Sequence, residues 1–165
     1  MFKKFVATFL SLLALLSVIA FPQKTYAADD SAPGTTTLKS DEVFERDYVA
    51  GDDIVEISGI VEGDAYVFGG QVSVDGKVEK DLIVFGGEVK ISGEIGQDLR
   101  VLGGQVSLSG SVEGNVTAVG GMIDISDSST IGGSLVSAGG SIIISAPVGG
   151  DVKAVSYTHL TLPTN

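Results

Sequence analysis

Cysteine and tryptophan are absent from this 165-residue chain, histidine occurs once and proline four times. Without thiols there is no disulfide framework, thiolate metal site or cysteine nucleophile, so stability has to come from packing and backbone ladders. The single histidine, His159, lies near the end of the sequence. No histidine-based triad or zinc site is therefore available in the preceding chain. Bases are scarce, with 10 Lys and Arg against 21 Asp and Glu and a net charge of -11. That excess argues against nucleic acid and anionic lipid as partners, while keeping a self-associating surface soluble. Few prolines beside 23 glycines and abundant Val, Ile and Leu fit neither collagen nor a disordered chain. Glycine must serve repeated turns.

The beginning of the chain has the pattern of a targeting segment. Lys3 and Lys4 precede an apolar run from Phe5 to Phe21 that stops at Pro22, and Thr25-Tyr26-Ala27 places small residues where a signal peptidase cuts. This predicts a signal peptide over 1–27 with cleavage after Ala27, the alternative being an uncleaved N-terminal anchor. Either route exports the domain to the periplasm, cell envelope or cell surface. Residues 28–48 start rich in Asp, Ser, Thr and Gly, and are expected to form a flexible leader arm. The stretch from Asp41 to Val49 is open to a short strand or an N-terminal cap.

From Val61 the chain repeats. Units begin at Val61, Val78, Ile95, Val112, Ile131 and Val148, a step of 17 residues that lengthens once to 19, where Ser129 and Thr130 read as the insertion. In each unit positions five and seven are apolar or small (Leu82 and Val84, Leu99 and Val101), as are positions twelve and fourteen (Val89 and Ile91, Val106 and Leu108). Alternation with period two marks strands. Between them stand Gly69-Gly70, Gly86-Gly87, Gly103-Gly104, Gly120-Gly121 and Gly139-Gly140, expected to be corners that use a positive φ. A second turn follows at Asp75-Gly76, Ser92-Gly93 and Ser109-Gly110. No unit holds an uninterrupted helix, and a propeller blade needs a much longer period. The predicted fold is all-β, a single-stranded parallel β-helix (β-solenoid) of about 17 residues per coil over 49–154. At about 3.3 Å per residue one coil has a perimeter near ~56 Å, enough for three short faces around a narrow core.

The pattern G-D/N-apolar-x-apolar-x-G-G-x-V-x-I/V/L-x-G recurs through Gly63-Asp64-Ala65, Asp81-Leu82, Asp98-Leu99, Gly114-Asn115-Val116 and Gly150-Asp151-Val152. It resembles the bactofilin group of polymer-forming bacterial cytoskeletal proteins, over about Gly51 to Val155. The resemblance implies a right-handed β-helix with loose terminal tails that assembles end to end into nucleotide-free filaments, often at membranes. Members of that group are typically cytoplasmic, whereas the leader here points outward. The combined expectation is an exported structural scaffold of the bacterial cell envelope with itself as main partner and envelope or membrane proteins as further ones. The alternative is a monomeric surface-exposed module whose outer face binds a glycan, a cation or a protein.

Position four holds Asp64, Asp81, Asp98, Asn115, Ser134 and Asp151, in single file at about 4.8 Å if the coils stack. Asp64, Asp81 and Asp98 are the metal candidates, for Ca²⁺. The competing role is for each short polar side chain to accept backbone N–H groups at its turn. Single-file carboxylates offer few oxygens per ion, which favours the turn. Beside the glycine corner, Phe68, Phe85, Leu102 and Val119 form an apolar column of decreasing size. It is expected to pack inside the corner; the alternative is an exposed strip for lateral association. Outward position six, with Tyr66, Ile83, Arg100, Thr117, Val136 and Lys153, is mixed.

Hexapeptide acyltransferases have a different period and use histidine, and β-helical lyases need longer coils and a basic groove. Here Arg100 and Lys90 stand isolated among acids. The expectation is no catalytic residue, no cofactor and no small-molecule substrate. After Ala154 the register stops, and Val155 to Asn165 resembles the translation of a transposase-end adapter used in DNA sequencing libraries. Residues 155–165 are accordingly expected to lie outside the natural fold, with the natural reading frame continuing beyond.

Overall fold

The computed structural model describes residues 34–162, and all its regular structure is strand. The signal peptide over 1–27, its cleavage after Ala27 and the first residues of the leader lie outside the described residues. β1 is Thr35–Leu38. Ten-residue strands follow as β3 (Tyr48–Ile57), β5 (Ala65–Val74), β7 (Leu82–Ile91), β9 (Leu99–Leu108), β11 (Val116–Ile125), β13 (Leu135–Ile144) and β14 (Val152–Thr161). Between them run two-residue strands: β2 (Val43–Phe44), β4 (Ile60–Val61), β6 (Lys77–Val78), β8 (Glu94–Ile95), β10 (Ser111–Val112) and β12 (Thr130–Ile131). The long strands form one parallel sheet in the order β1-β3-β5-β7-β9-β11-β13-β14 and the short ones a second, β12-β10-β8-β6-β4-β2. Leu82 pairs with Ala65 on one side and Leu99 on the other, so each coil lies in register on its neighbour. The chain is a β-solenoid of 17-residue coils.

Alternation places the core. In β7, Leu82, Val84, Val89 and Ile91 are buried, and the same positions are buried in β5, β9 and β11. Val78, Ile95, Val112 and Ile131 from the short strands close the third side. Each such side chain taken from water contributes about 1.5–3 kcal/mol. Volumes are also matched along the rod. Position seven shrinks from Val67, Val84 and Val101 to Ala118 and Ser137, while position twelve grows from Val72, Val89 and Val106 to Ile123 and Ile142.

The gap from the second inward residue to the third is five positions, Val84 to Val89, which is odd and reverses the phase of the alternation. A corner must therefore fall between them, and Gly86-Gly87 supply it. The expected mechanism is corrected, however: the pairs lie inside continuous strands and the only positive-φ glycine among the described residues is Gly34. Sterics select glycine instead. A Cβ on Gly87 would stand 2.8 Å from the Gly70 carbonyl oxygen, and one on Gly86 2.9 Å from Val89 Cγ2. The second glycine column is tighter still, since a Cβ on Gly76, Gly93 or Gly110 would overlap the backbone carbonyl of the equivalent glycine one coil earlier.

Three boundaries differ from the sequence reading. The leader arm expected over 28–48 ends sooner, because β1 pairs with Ile54–Ile57 and buries Leu38, and β2 pairs with β4. Phe44 and Tyr48 meet edge to face at 5.2 Å, and burial, with Glu42 nearby, raises the Tyr48 phenol pKa. The inserted pair is not Ser129-Thr130: Thr130 keeps its place opposite Ser111, and Asp127 and Ser128 form the extra turn. Ser129 tucks inward, its hydroxyl donating to the Leu108 carbonyl at 3.1 Å, the role taken one coil earlier by Gly110 N–H on Ile91. Finally, β14 continues past Ala154 to Thr161 with a register shift opposite Gly139 and Ser141. There Ser156 Oγ donates to the Gly140 carbonyl at 2.8 Å.

Candidate interaction face

The position-four residues stand at the start of each long strand, where the backbone leaves the short face. Five of the six serve the coil above them, not their own turn. Asp64 Oδ1 accepts the Asp81 N–H at 3.2 Å, Asp81 Oδ1 the Asp98 N–H at 3.0 Å, and Asp98 Oδ1 the Asn115 N–H at 2.8 Å. Asn115 Oδ1 then accepts Ser134 N–H at 2.9 Å, and Ser134 Oγ accepts Asp151 N–H at 3.2 Å. The period that brings residue i over residue i+17 makes this relay possible. Asp47 belongs to the column too, accepting Asp64 N–H at 3.1 Å. Sequence reading passed it over, although counting 17 back from Asp64 reaches it.

Of the calcium candidates, Asp81 and Asp98 already share a cation. Arg100, two residues past Asp98 and outward on β9, donates to Asp81 Oδ2 at 2.8 Å and to Asp98 Oδ2 at 2.9 Å. The guanidinium hydrogen bond holds the Asp81 carboxyl below the ordinary carboxylate range against an opposing desolvation, and the pairing raises the Arg100 pKa. Lys90, likewise not isolated, lies 2.8 Å from Glu88 and lowers its pKa by hydrogen bonding. Asp64 gives one oxygen to backbone. Among the described residues no group of three or more acidic or histidine side chains is placed to hold a metal ion.

Position eight follows a buried residue in a period-two strand, so it faces solvent. Phe68 is 45% exposed, Phe85 42%, Leu102 49% and Val119 41%, which overturns the expectation that this column packs inside the corner. Phe68 and Phe85 stack with parallel planes, centroids 5.4 Å apart. Because they stack on each other along the ladder, their facing surfaces are already used. Position six stands beside them, and Tyr66 and Val136 are also exposed. Apart from Arg100, Thr117 and Lys153 at position six, the arm from position five to eight thus presents apolar outward side chains, whereas the next arm shows Gln71, Ser73, Glu88, Lys90, Gln105 and Ser107 beside exposed Met122 and Ile143. Toward its far end the column opens into a shallow apolar depression floored by Gly103, Gly120 and Gly139 between Leu102, Val119 and Ala138, with Tyr157 at the rim.

The rod ends matter as well. β1 covers only the second arm of β3, so no described strand lies over the outer side of Tyr48–Gly51. Tyr48 N–H points inward to Asp64 O at 2.7 Å, and alternation turns the Val49 N–H to the outside. These features define a parallel β-solenoid with a largely apolar side face and a strand edge that no described strand covers. Comparisons of the chain with known protein families, curated proteins and solved structures give no match.

Proposed function

We propose that this chain is an exported structural scaffold of the bacterial cell envelope that self-assembles by end-to-end stacking of its β-helix and performs no catalysis. The observation that carries the reading is the edge over Tyr48–Gly51, covered by no described strand, on a ladder of in-register coils. An unpaired edge of this kind templates another strand unless it is capped. The acidic surface supports the same reading, because charge limits indiscriminate association while leaving directional pairing available. Resemblance of the repeat to the bactofilin group, with its nucleotide-free filaments, and the export pattern of residues 1–27 supply the rest.

Negative-stain microscopy and sedimentation of the purified protein over increasing concentration test assembly. Filaments or concentration-dependent rods are expected, and Val49→Pro, which removes an outward N–H while sparing the inward ladder, should cap them without loss of fold. A monomer at every concentration would overturn the scaffold and favour the surface-module alternative. Export is tested separately by fusing residues 1–33 to a reporter active only outside the cytoplasm and sequencing the new N-terminus, expected at Ala28.

A further inference from the structure

We infer that two copies of this chain pair side by side, antiparallel, through the apolar first-arm face, about a two-fold axis passing through Leu102. This contact is perpendicular to end-to-end stacking and does not rest on it.

Three observations carry the inference. In register the position-eight column runs Gly51, Phe68, Phe85, Leu102, Val119, Ala138, Val155, falling in size from the two phenylalanines to Ala138, with Leu102 at the middle of the seven. Rotating a second copy about an axis along the central strand keeps position eight over position eight and reverses the order of coils. Gly51 then faces Val155, Phe68 faces Ala138, Phe85 faces Val119 and Leu102 faces itself, so larger meets smaller on either side of the central pair. The apolar depression between Leu102 and Ala138 receives the partner's two phenyl rings, and the two-fold repeats the arrangement. A parallel pair would instead set bulky ends together and leave a wedge at the small ends.

Charge selects the same orientation. The first coil carries Asp47, Asp52 and Asp53, whereas in the last coil outward Lys153 offsets Asp151. Antiparallel pairing brings those ends together, whereas parallel pairing opposes the acids. Arg100 meets its copy at the centre, each already clamped by Asp81 and Asp98. Four residues by seven coils make a face of roughly 400 Å², about half of the ~800 Å² per partner in a stable complex. The pair is thus weak and concentration-dependent.

The chain has no cysteine, so introduced thiols report contacts without background. In the antiparallel pair Ile83 faces Thr117. A mixture of Ile83→Cys and Thr117→Cys proteins treated with a short bismaleimide should give the mixed dimer several-fold above either self-dimer, and Leu102→Cys should link to itself. Efficient Ile83→Cys self-linking would overturn the orientation; absence of all face links would overturn the pairing, even where microscopy shows end-to-end filaments. As a second readout, Phe68→Ala and Ala138→Phe should each weaken dimerisation at least tenfold by sedimentation equilibrium. The double variant, which exchanges bump and hollow, should return to within threefold of wild type. Both sites lie outside the core, so unfolding midpoints serve as the fold control. Additive weakening in the double variant would refute the proposal.

Discussion

Gly93→Ala should be the most damaging of the single-methyl additions at the turns. Its new Cβ would overlap the Gly76 carbonyl oxygen and press on the Asp75 carbonyl carbon at 2.9 Å, both backbone atoms of the adjacent coil. That oxygen accepts the Glu94 N–H at 3.0 Å, so moving it also breaks a rung of the ladder between β6 and β8. Overpacking costs about 1–3 kcal/mol and the broken hydrogen bond about 1–3 more. The smaller unfolded-state entropy of alanine returns about 0.4–1 kcal/mol. The net is ~3 kcal/mol, or roughly 10 °C in Tm for a domain of this size. Gly87→Ala meets only the Gly70 oxygen at 2.8 Å, a few tenths of an ångström too close. It should cost ~1 kcal/mol or less once the same entropy is returned. Far-UV circular dichroism during urea unfolding measures both, and Gly87→Asn adds a control: a left-handed backbone would favour Asn over Ala, while a steric limit penalises it more. Equal losses at 87 and 93, or Asn better than Ala at 87, would refute the steric account.

Other predictions concern polar groups. Ser137 is buried and its Oγ has no hydrogen-bond partner among the described residues, so Ser137→Ala should raise stability by about 1 kcal/mol; a lower unfolding midpoint would show that the hydroxyl is satisfied. Asp81→Ala loses the acceptor for Asp98 N–H and one arm of the Arg100 clamp, at a cost of ~1 kcal/mol. Calcium titrated into wild type and this variant should move their Tm values equally; a large rise confined to wild type would restore the metal reading. Arg100 holds the Asp81 carboxyl below its ordinary range, so that pair's contribution is fully present above the unfolded carboxylate pKa near ~4 and drains as pH falls through the depressed folded value. Arg100→Gln should therefore flatten the acid limb of a stability-versus-pH curve; an unchanged limb would place the acid sensitivity elsewhere.

The solenoid was legible because its two periods are arithmetic. Seventeen residues per unit set which side chains stack, and period two within each strand sets which point inward, so counting alone places Val67, Val84 and Val101 inside. The same arithmetic was underused for Phe68. Position eight follows an inward seven and precedes the phase reversal at the glycines, so it had to face out; hydrophobicity pulled the expectation inward instead. The position-four column was assigned its acceptor role from residue type alone. Type cannot say whether the N–H is in the same turn or one coil away, and only stacking decides that. Asp47 and the Arg100 clamp were hidden for a related reason: each depends on a residue 17 or 19 positions distant.

The glycine turns explain how the extra pair in the fourth unit is tolerated. In the Gly59–Gly76–Gly93–Gly110 column each coil can rise only because the residue above a carbonyl has no Cβ. The next unit has no glycine there; it has Ser126-Asp127-Ser128-Ser129. Two additional residues let Asp127 and Ser128 swing out, while Ser129 enters the core and replaces a backbone donor with its hydroxyl. The following coil then carries buried Ala146, with Pro147 accepting the Ile131 N–H at 3.2 Å. Insertion and loss of glycine are thus one structural event. Deleting Asp127 and Ser128 to restore a 17-residue step should destabilise the rod unless Ser129 is changed to Gly at the same time, because the shortened turn would place the Ser129 Cβ where that column excludes side-chain atoms. Thermal unfolding of the deletion with and without Ser129→Gly separates the two effects, and equal stability of both variants would break the link.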